Sequence, residues 1–276
     1  MMSETRFEFG ENWSKFLSSV NNDVIAEAKN SLTSMLACED FAGMRILDIG
    51  SGSGLFSLAA HMLGAEVVSI DYDNACVACT SELKRKYGRS DLEWIIQQAS
   101  VLDRDFMKSL GTFDGVYSWG VLHHTGNLEL ALENAMSSVA SNGWFFIAIY
   151  NDQGRASRRW LAKKKLYHAM PTSIRSLYVF SIASVYELKY AISRLVRCQN
   201  PLGNLERNAD GRGMKMWVDW VDWVGGMPFE VSTPDEIVSV ARKRGFVLDK
   251  LKTVGSGWGC NEFVFHLDSN KNLGSV

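Results

Sequence analysis

The chain has 276 residues, 46% of them hydrophobic and 22% charged, with a formal net charge of -2 at pH 7. This composition is ordinary for a globular enzyme with a substantial core. The near balance of charge argues against a chain whose whole surface binds nucleic acid. No apolar run reaches the roughly 18 to 20 residues that span a bilayer. The first residues also lack the pattern of a signal peptide, so we expect a cytoplasmic location.

The five cysteines are too few and too scattered for a disulfide scaffold, which also favours a reducing compartment. Cys76 and Cys79 form the one closely spaced pair, in a stretch with a helical pattern. A second pair and a nearby histidine are both missing, so we interpret the two cysteines as helix packing. The sequence predicts no metal site.

The first predicted element is an amphipathic helix near residues 12 to 37, with large apolar residues at Trp13, Phe16, Leu17 and Val20. Strands and helices then alternate up to residue 150. The predicted strands read MRILDIG, EVVSIDYD, LEWIIQQA, FDGVYSWG and NGWFFIAIY. This order predicts a parallel, doubly wound sheet.

The alternation of strands and helices stops near the end of the chain. Thr233, Pro234 and Glu236 have the pattern of a capping box that begins a helix, which should end near Gly245. Two strands follow, FVLDKLKTV and NEFVFHL, joined by a glycine-rich loop. Such a hairpin at the end of an otherwise parallel sheet is unlike a dinucleotide-binding domain.

A glycine-rich turn, LDIGSGSG, follows the first predicted strand, with glycines at Gly50, Gly52 and Gly54. A dinucleotide fingerprint has its third glycine five residues after the first, where this chain has Leu55. Asp48 at the mouth of the turn would repel a pyrophosphate but could accept hydrogen bonds from an ammonium group. The turn therefore favours a cationic ligand without phosphates over NAD.

The motifs ILDIGSGSG and VSIDYD, together with the terminal hairpin, resemble class I S-adenosylmethionine-dependent methyltransferases. The resemblance covers roughly residues 40 to 150 and 230 to 268. Three further motifs resemble a narrower group, the bacterial proteins grouped with ubiquinone-type hydroxyphenol O-methyltransferases. These motifs are YSWGVLHHTG, IYNDQG and GCNEFVF. This family implies a Rossmann-like α/β fold with a doubly wound seven-stranded sheet and an antiparallel last strand. It also implies S-adenosylmethionine as the cofactor.

The resemblance implies cofactor contacts at the carboxyl ends of the strands. The three glycines would let the backbone approach the methionine moiety, and Asp48 would orient the turn and meet the ammonium. Asp71 ends the second strand and would bind both ribose hydroxyls, with Tyr72 beside the adenine. The alternative for Asp71 is a solvated loop carboxylate. The remaining expected cofactor contacts are Ser100 and Val101 at the adenine edge, and Ser118.

Methyl transfer to a hydroxyl needs an aligned acceptor and a base, because the sulfonium is already activated. His123 and His124 follow the fourth strand and are the expected bases, with His123 preferred. The alternative is that this pair caps the next helix or shapes the pocket. Asp152 is a rival base. The expected acceptor contacts are Tyr150, Asn151, Trp217, Trp220, Asn261 and Glu262. For the two tryptophans the alternative is core packing, and for Asn261 and Glu262 it is a polar strand edge.

Residues 155–215 contain thirteen Lys or Arg and three Asp or Glu, so this segment carries +10 and the rest of the chain carries -12. It holds an apolar helical stretch, IRSLYVFSIASVYELKYAISRLV, and is followed by tryptophans at 217, 220 and 223. We expect residues 155–225 to form a basic, largely helical insert that covers the acceptor site, with Lys163, Lys164 and Lys165 facing the acceptor or solvent. Residues 41–154 and 226–276 would form the cofactor-binding domain, and residues 1–40 a helical lid.

The function that these features favour is methyl transfer from S-adenosylmethionine to a hydroxyl of a small molecule, sugar or glycan. The acceptor could be anionic or lipid-linked, with the apolar stretch lying on an anionic membrane surface. One alternative is a tRNA or rRNA methyltransferase that grips phosphates with the basic insert. Another is an inactive methyltransferase fold that serves as a binding module.

Overall fold

The computed structural model describes residues 20–200, 216–255 and 259–268. Within these residues the strands are β1 (Arg45–Ile49), β2 (Glu66–Asp71), β3 (Trp94–Gln98), β4 (Phe113–Trp119), β5 (Val139–Tyr150), β6 (Phe246–Lys252) and β7 (Cys260–Leu267). The helices between residues 20 and 140 are α1 (Asn22–Leu36), α2 (Leu55–Met62), α3 (Asn74–Tyr87), α4 (Arg104–Ser109) and α5 (Leu128–Ser137). The later helices are α6 (Arg155–Ala169), α7 (Thr172–Val196), α8 (Met216–Gly225) and α9 (Pro234–Lys243).

All seven strands form one sheet in the order β3-β2-β1-β4-β5-β7-β6. The pairs from β3 across to β5 are parallel, whereas β7 runs antiparallel to both β5 and β6. The predicted doubly wound sheet with an antiparallel last strand is therefore confirmed. The chain order reverses between β1 and β4, and ligands of such sheets bind at this reversal, beyond the carboxyl ends of the strands.

Successive strand residues point to opposite sides of the sheet, so both faces carry apolar side chains and helices cover each face. Leu47 lies in a core on one face with residues of α5 and α9, while Ile46 lies in a second core with residues of α1, α2 and α3. Ile25 and Leu32 bury the apolar side of α1 in that second core. For α1 the structure thus gives a core helix in place of the predicted lid. Trp13, Phe16 and Leu17 lie outside the described residues.

The chain divides into two compact units, and the smaller one contains Gly154–Met227. Helices α6 and α7 both pack against α8, and the buried side chains include Trp160, Val179 and Val224. Helix α8, which carries Trp217, Trp220 and Trp223, ends at Gly225. Within the described part of the chain, no helix combines the length and the apolar content required to cross a bilayer.

The larger unit contains Glu8–Gln153 and Pro228–Val276, and its described residues form the whole sheet. The predicted capping box at the start of α9 is present: the side chain of Thr233 accepts from the backbone of Glu236, and the Glu236 carboxylate accepts from the backbone of Thr233. This cap fixes the point at which the chain returns to the sheet after the insert.

Candidate functional site

The glycine turn after β1 adopts a backbone that favours glycine. Gly50, Gly52 and Gly54 have φ angles of 77°, 56° and 80°, in the left-handed region. A Cβ atom on Gly50 would lie 2.4 Å from Cγ1 of Val121, and one on Gly54 would lie 2.9 Å from the Cα of Thr80. At these two positions glycine is therefore required by the close approach of neighbouring protein segments, whether or not a ligand also approaches.

Asp71 at the end of β2 is joined directly to the glycine turn. Its Oδ2 accepts from the backbone N–H of Gly52 at 2.9 Å, and its Oδ1 accepts from that of Asp73 at 2.9 Å. Burial raises the pKa of this carboxyl group, and the two backbone donors oppose that effect. The thiol of Cys76 is a third donor to this carboxyl group. A carboxylate has about four lone-pair sites, so Asp71 retains acceptor capacity. The arrangement fits a ligand with vicinal hydroxyls.

Asp48 lies at the end of a chain of buried hydrogen bonds. The indole N–H of Trp94 donates to Oγ of Ser69 at 2.8 Å, the hydroxyls of Ser69 and Ser57 are 2.7 Å apart, and Ser57 donates to Asp48 at 2.5 Å. Each serine has one hydroxyl proton. Since Ser57 gives its proton to Asp48, Ser69 must donate to Ser57. We call these four residues the Asp48 relay; its donors all point toward the carboxylate.

Burial raises the pKa of Asp48 to about 7, the hydrogen bond from Ser57 lowers it, and the nearby charge of Asp71 raises it. Asp48 is therefore only partly ionised near neutral pH, and a cationic ligand would favour the charged form. Sequence reasoning identified Asp48 but missed Ser57, Ser69 and Trp94. The available signal was a serine inside each of two apolar stretches, EVVSID and LFSLAA.

The expected adenine-side residues differ in their exposure. Tyr72 is exposed, and its carbonyl accepts from the amide of Gln98. Ser100 accepts from the backbone of Leu102 and so shapes the turn after β3. Val101 packs in the core. The buried Ser118 donates to the carbonyl of Ile49 at 2.9 Å. The side chain of Val101 thus packs in the core and that of Ser118 bonds to the backbone of β1, while their contacts with the cofactor stay predictions.

The two histidines occupy a short 3₁₀ turn, Leu122–His124, after β4. His123 is fully buried, with its ring centroid 3.9 Å from that of Tyr150. His124 is half-buried, and its Nδ1 lies 2.5 Å from the carbonyl oxygen of Pro228. A carbonyl can only accept, so Nδ1 carries a proton and Nε2 is the basic nitrogen of the neutral ring. This geometry favours His124 as the base, which reverses the order expected from the sequence.

Glu230 forms hydrogen bonds with the histidine turn and with the segment that follows it. Its carboxylate accepts from the backbone N–H groups of Gly126 at 3.2 Å and Leu128 at 3.1 Å, at the start of α5. A negative charge at a helix N-terminus is favourable. The N–H of Glu230 also donates to the carbonyl of His123 at 3.0 Å. Sequence reasoning missed Glu230 and Pro228, which are distant in the chain from the residues they hold.

The polar residues after β5 are engaged with the loop before β7. The Asn261 side chain donates to Oδ1 of Asn151 at 3.0 Å and accepts from the backbone of Val254 at 3.1 Å. Asn151 in turn donates to the carbonyl of Gly255. The backbone of Asp152 donates to the carbonyl of Ser232 at 3.1 Å. Asn151 and Asn261 therefore fix the rim of the sheet, so that any effect of Asn261 on an acceptor would be indirect.

Of the other three expected acceptor residues, one belongs to the sheet unit and two belong to the helical unit. Glu262 forms an ion pair with Lys252 at 3.3 Å on the surface of the sheet. Trp220 belongs to the helical unit, where its indole N–H donates to Glu187 at 3.2 Å and its ring packs against Tyr186. Trp217, in the same helix, is exposed. The structure thus joins the glycine turn with Asp48 and Asp71, and His124 with Tyr150, whereas Trp217 and Trp220 belong to the other compact unit.

The run of three lysines in α6 is not a uniform basic face. Lys164 is fully buried and donates to the carbonyl of Trp223 at 2.5 Å. Burial lowers the pKa of Lys164 to about 7, and the charge of Asp222 opposes this. The Nζ atom of Lys163 lies 4.3 Å from the ring centroid of Trp160, while Lys165 is exposed. The expectation that all three face an acceptor or solvent is therefore wrong for Lys164.

Solved structures of methyltransferases share this fold. A magnesium protoporphyrin IX methyltransferase from Synechocystis PCC 6803 with bound SAH aligns with a TM-score of 0.52 at 12% identity, covering 93% of this chain and 94% of that one. An O-methyltransferase family protein from Burkholderia thailandensis aligns with a TM-score of 0.55 at 11% identity, covering 98% and 66%. Both likenesses concern the fold.

Curated sequences give closer relatives over a shorter region. A protein of Rhizobium etli named ubiquinone biosynthesis O-methyltransferase is 28% identical over 131 residues, which cover 44% of this chain and 51% of the relative. One of the same name from Mesorhizobium japonicum is 29% identical over 115 residues, covering 42% and 44%. The chain thus spans about half the length of the curated relatives it matches.

The family model of the methyltransferase domain matches residues 22–187. This match covers more than half of the chain and includes the glycine turn, Asp71 and the histidine turn. It confirms the methyltransferase resemblance and, with it, S-adenosylmethionine as the expected cofactor. The chain therefore belongs to the methyltransferase-domain family.

Proposed function

We propose that the chain transfers a methyl group from S-adenosylmethionine to a hydroxyl of a small molecule, sugar or glycan. One observation carries this proposal: Val121, which directly precedes the histidine turn, packs against the glycine turn. The side chain of Val121 occupies the space that a Cβ on Gly50 would need, and His124 follows three residues later. A candidate base and the candidate cofactor turn thus belong to one local structure.

The residues of the glycine turn fit this cofactor by their chemistry. Asp48 offers a buried carboxylate to an ammonium group, and Asp71 offers acceptors to the ribose hydroxyls. When bound, S-adenosylmethionine supplies a methyl group on a positively charged sulfur, which needs no further activation. Tyr72 is exposed beside Asp71 and would contact the adenine, with Ser100 next to it at the end of β3.

His124 would take the proton of the acceptor hydroxyl. Its Nδ1–H donates to the carbonyl of Pro228, which holds the ring in one tautomer and directs the basic Nε2 away from that carbonyl. The buried His123 would support this ring through its packing against His124 and Tyr150. Asp152 remains the rival base, since it follows β5 on the same rim.

The oxygen acceptor is supported by the name of the curated relatives, ubiquinone biosynthesis O-methyltransferase. Specificity for the acceptor would come in part from the insert, which leaves the sheet unit after Gln153 and returns at Pro228. Both connections are close in the chain to site residues, because Tyr150 precedes the first and Pro228 itself contacts His124. Trp217, exposed on α8, is the candidate acceptor contact within the insert.

Methyl transfer from labelled S-adenosylmethionine to a nuclease-treated cell extract tests this function. We expect label in a small-molecule or glycan fraction with the wild type, and roughly 10²-fold less with His124→Ala. The matched control is His266→Ala, since His266 lies on the surface of β7 and pairs with Asp249. Loss of labelling after nuclease treatment would identify a nucleic-acid methyltransferase instead. Cofactor binding with no transfer to untreated extract would identify a binding module.

A further inference from the structure

Helix α7 presents an apolar face to solvent. Its exposed residues include Leu177 at 69%, Leu188 at 62% and Leu195 at 64%. We call this surface the α7 outer face; it consists of Ile174, Leu177, Phe180, Val185, Leu188, Ile192, Leu195 and Val196. With about 3.6 residues per turn, these positions fall on one side of the helix over ~33 Å of its length. The opposite side holds the buried Val179 and Ala183.

Three of the four charged residues of α7 bond away from this face, and the fourth, Lys189, is exposed at its edge with its Nζ atom 5.5 Å from the ring centroid of Tyr186. Arg175 donates to the carbonyls of Met170 and His168 at the start of the helix, and Arg194 donates to that of Asn200 at its end. Glu187 accepts from Trp220 of α8. The α7 outer face is thus a largely apolar stripe along one side of the helix, interrupted by the exposed Ser181 and Ser184. Stripes of this kind mark surfaces that bind a protein or a membrane.

Charge decides between a second copy of the chain and a lipid surface. Residues 154–227 contain thirteen Lys or Arg and five Asp or Glu, which gives +8 for this unit. Helix α6 of the same unit exposes four of these basic residues, Arg155, Arg158, Arg159 and Lys165. Two such units brought together would repel each other, whereas an anionic surface would attract each of them.

We propose that the α7 outer face docks on an anionic lipid surface, with the exposed basic residues of α6 interacting with the head groups. An apolar helix face combined with Lys and Arg is the pattern of a helix that lies in the membrane interface. This binding would not require the methyl acceptor. It can therefore succeed or fail independently of the proposed transferase function.

Sedimentation with vesicles of phosphatidylcholine, with or without phosphatidylglycerol, tests the proposal. We expect the wild type to bind the anionic vesicles at low salt and to bind neutral vesicles at least tenfold more weakly, since anionic head groups attract the basic residues near the surface. The triple variant Leu177→Gln, Leu188→Gln, Leu195→Gln should bind the anionic vesicles at least tenfold more weakly, because three apolar side chains would no longer be buried in the lipid.

The matched control replaces exposed apolar residues outside this face, Tyr190→Gln and Leu251→Gln, and should bind as the wild type does. S-adenosylhomocysteine affinity measured on every variant shows that the fold is retained. Failure of the wild type to bind anionic vesicles, or equal binding to neutral ones, would overturn the proposal. A wild-type dimer that the triple variant abolishes, in the absence of vesicle binding, would assign the face to a second copy.

Discussion

Removing the Ser57 hydroxyl should make cofactor binding depend more strongly on pH. Ser57 is the last donor of the Asp48 relay, and it donates directly to the buried carboxylate. Only the ionised carboxylate attracts an ammonium group, so affinity for the cofactor should follow the charged fraction of Asp48. Because burial raises this pKa to about 7, affinity should rise with pH through the neutral range.

The magnitude follows from the hydrogen bond that is lost. A hydrogen bond to a charged group contributes roughly 1.5 kcal/mol, or about one pKa unit. Ser57→Ala should therefore move the pKa of Asp48 from about 7 to roughly 8. The charged fraction, and with it the affinity, would then fall about tenfold at pH 6 but only about 1.3-fold at pH 8.5.

Calorimetry with S-adenosylhomocysteine between pH 6 and pH 8.5 measures this effect. The ligand control is 5′-methylthioadenosine, which lacks the amino-acid portion and should bind wild type and variant alike. The matched control variant is Ser81→Ala, since Ser81 is exposed and bonds within its own helix. An affinity ratio that stays constant with pH, or an equal loss for 5′-methylthioadenosine, would refute the role of the relay in holding Asp48 ionised.

Three further changes test other parts of the site. Asp71→Ala should weaken S-adenosylhomocysteine binding by about 1 to 3 kcal/mol in calorimetry, and unchanged affinity would remove Asp71 from the site. A base must lose its proton to act, so wild-type turnover should rise with pH in a steady-state assay. His124→Ala should abolish this rise and leave cofactor affinity intact, whereas a rise that survives would favour Asp152 as the base. The pKa of Lys164 is about 7 in the folded protein, against an ordinary value of 10.5. Between pH 7 and pH 10.5 the unfolded chain therefore binds more protons than the folded protein, and the free energy of unfolding should rise with pH. Lys164→Met should flatten this rise in urea unfolding, and an equal rise in the variant would contradict the burial of that charge.

The element order could be predicted from the sequence because it rests on local patterns. Apolar runs alternate with helical periodicity, and Thr233 to Glu236 carry a complete capping box. The glycine turn was also visible, since its left-handed backbone demands a residue type that stands out in a sequence. The position of Asp71 followed from the end of its strand.

The supporting contacts could not be predicted, because they join residues far apart in the chain. Pro228 and His124 are 104 positions apart, and the Trp94 and Ser69 of the relay are 25 apart. Nothing in the KKK run distinguishes Lys164 from its neighbours, since its burial depends on the carbonyl of Trp223 in another helix. The choice between His123 and His124 likewise required burial, which two adjacent histidines do not reveal.

The most direct test of the cofactor site compares two ligands on the unmodified protein by calorimetry. The turn has Asp48 at its mouth and lacks the third glycine of a dinucleotide fingerprint, so S-adenosylhomocysteine should bind one to one and NAD should bind negligibly. This contrast uses no variant and needs no knowledge of the acceptor. Measurable NAD binding with no heat from S-adenosylhomocysteine would contradict the assignment of the glycine turn, Asp48 and Asp71 to S-adenosylmethionine.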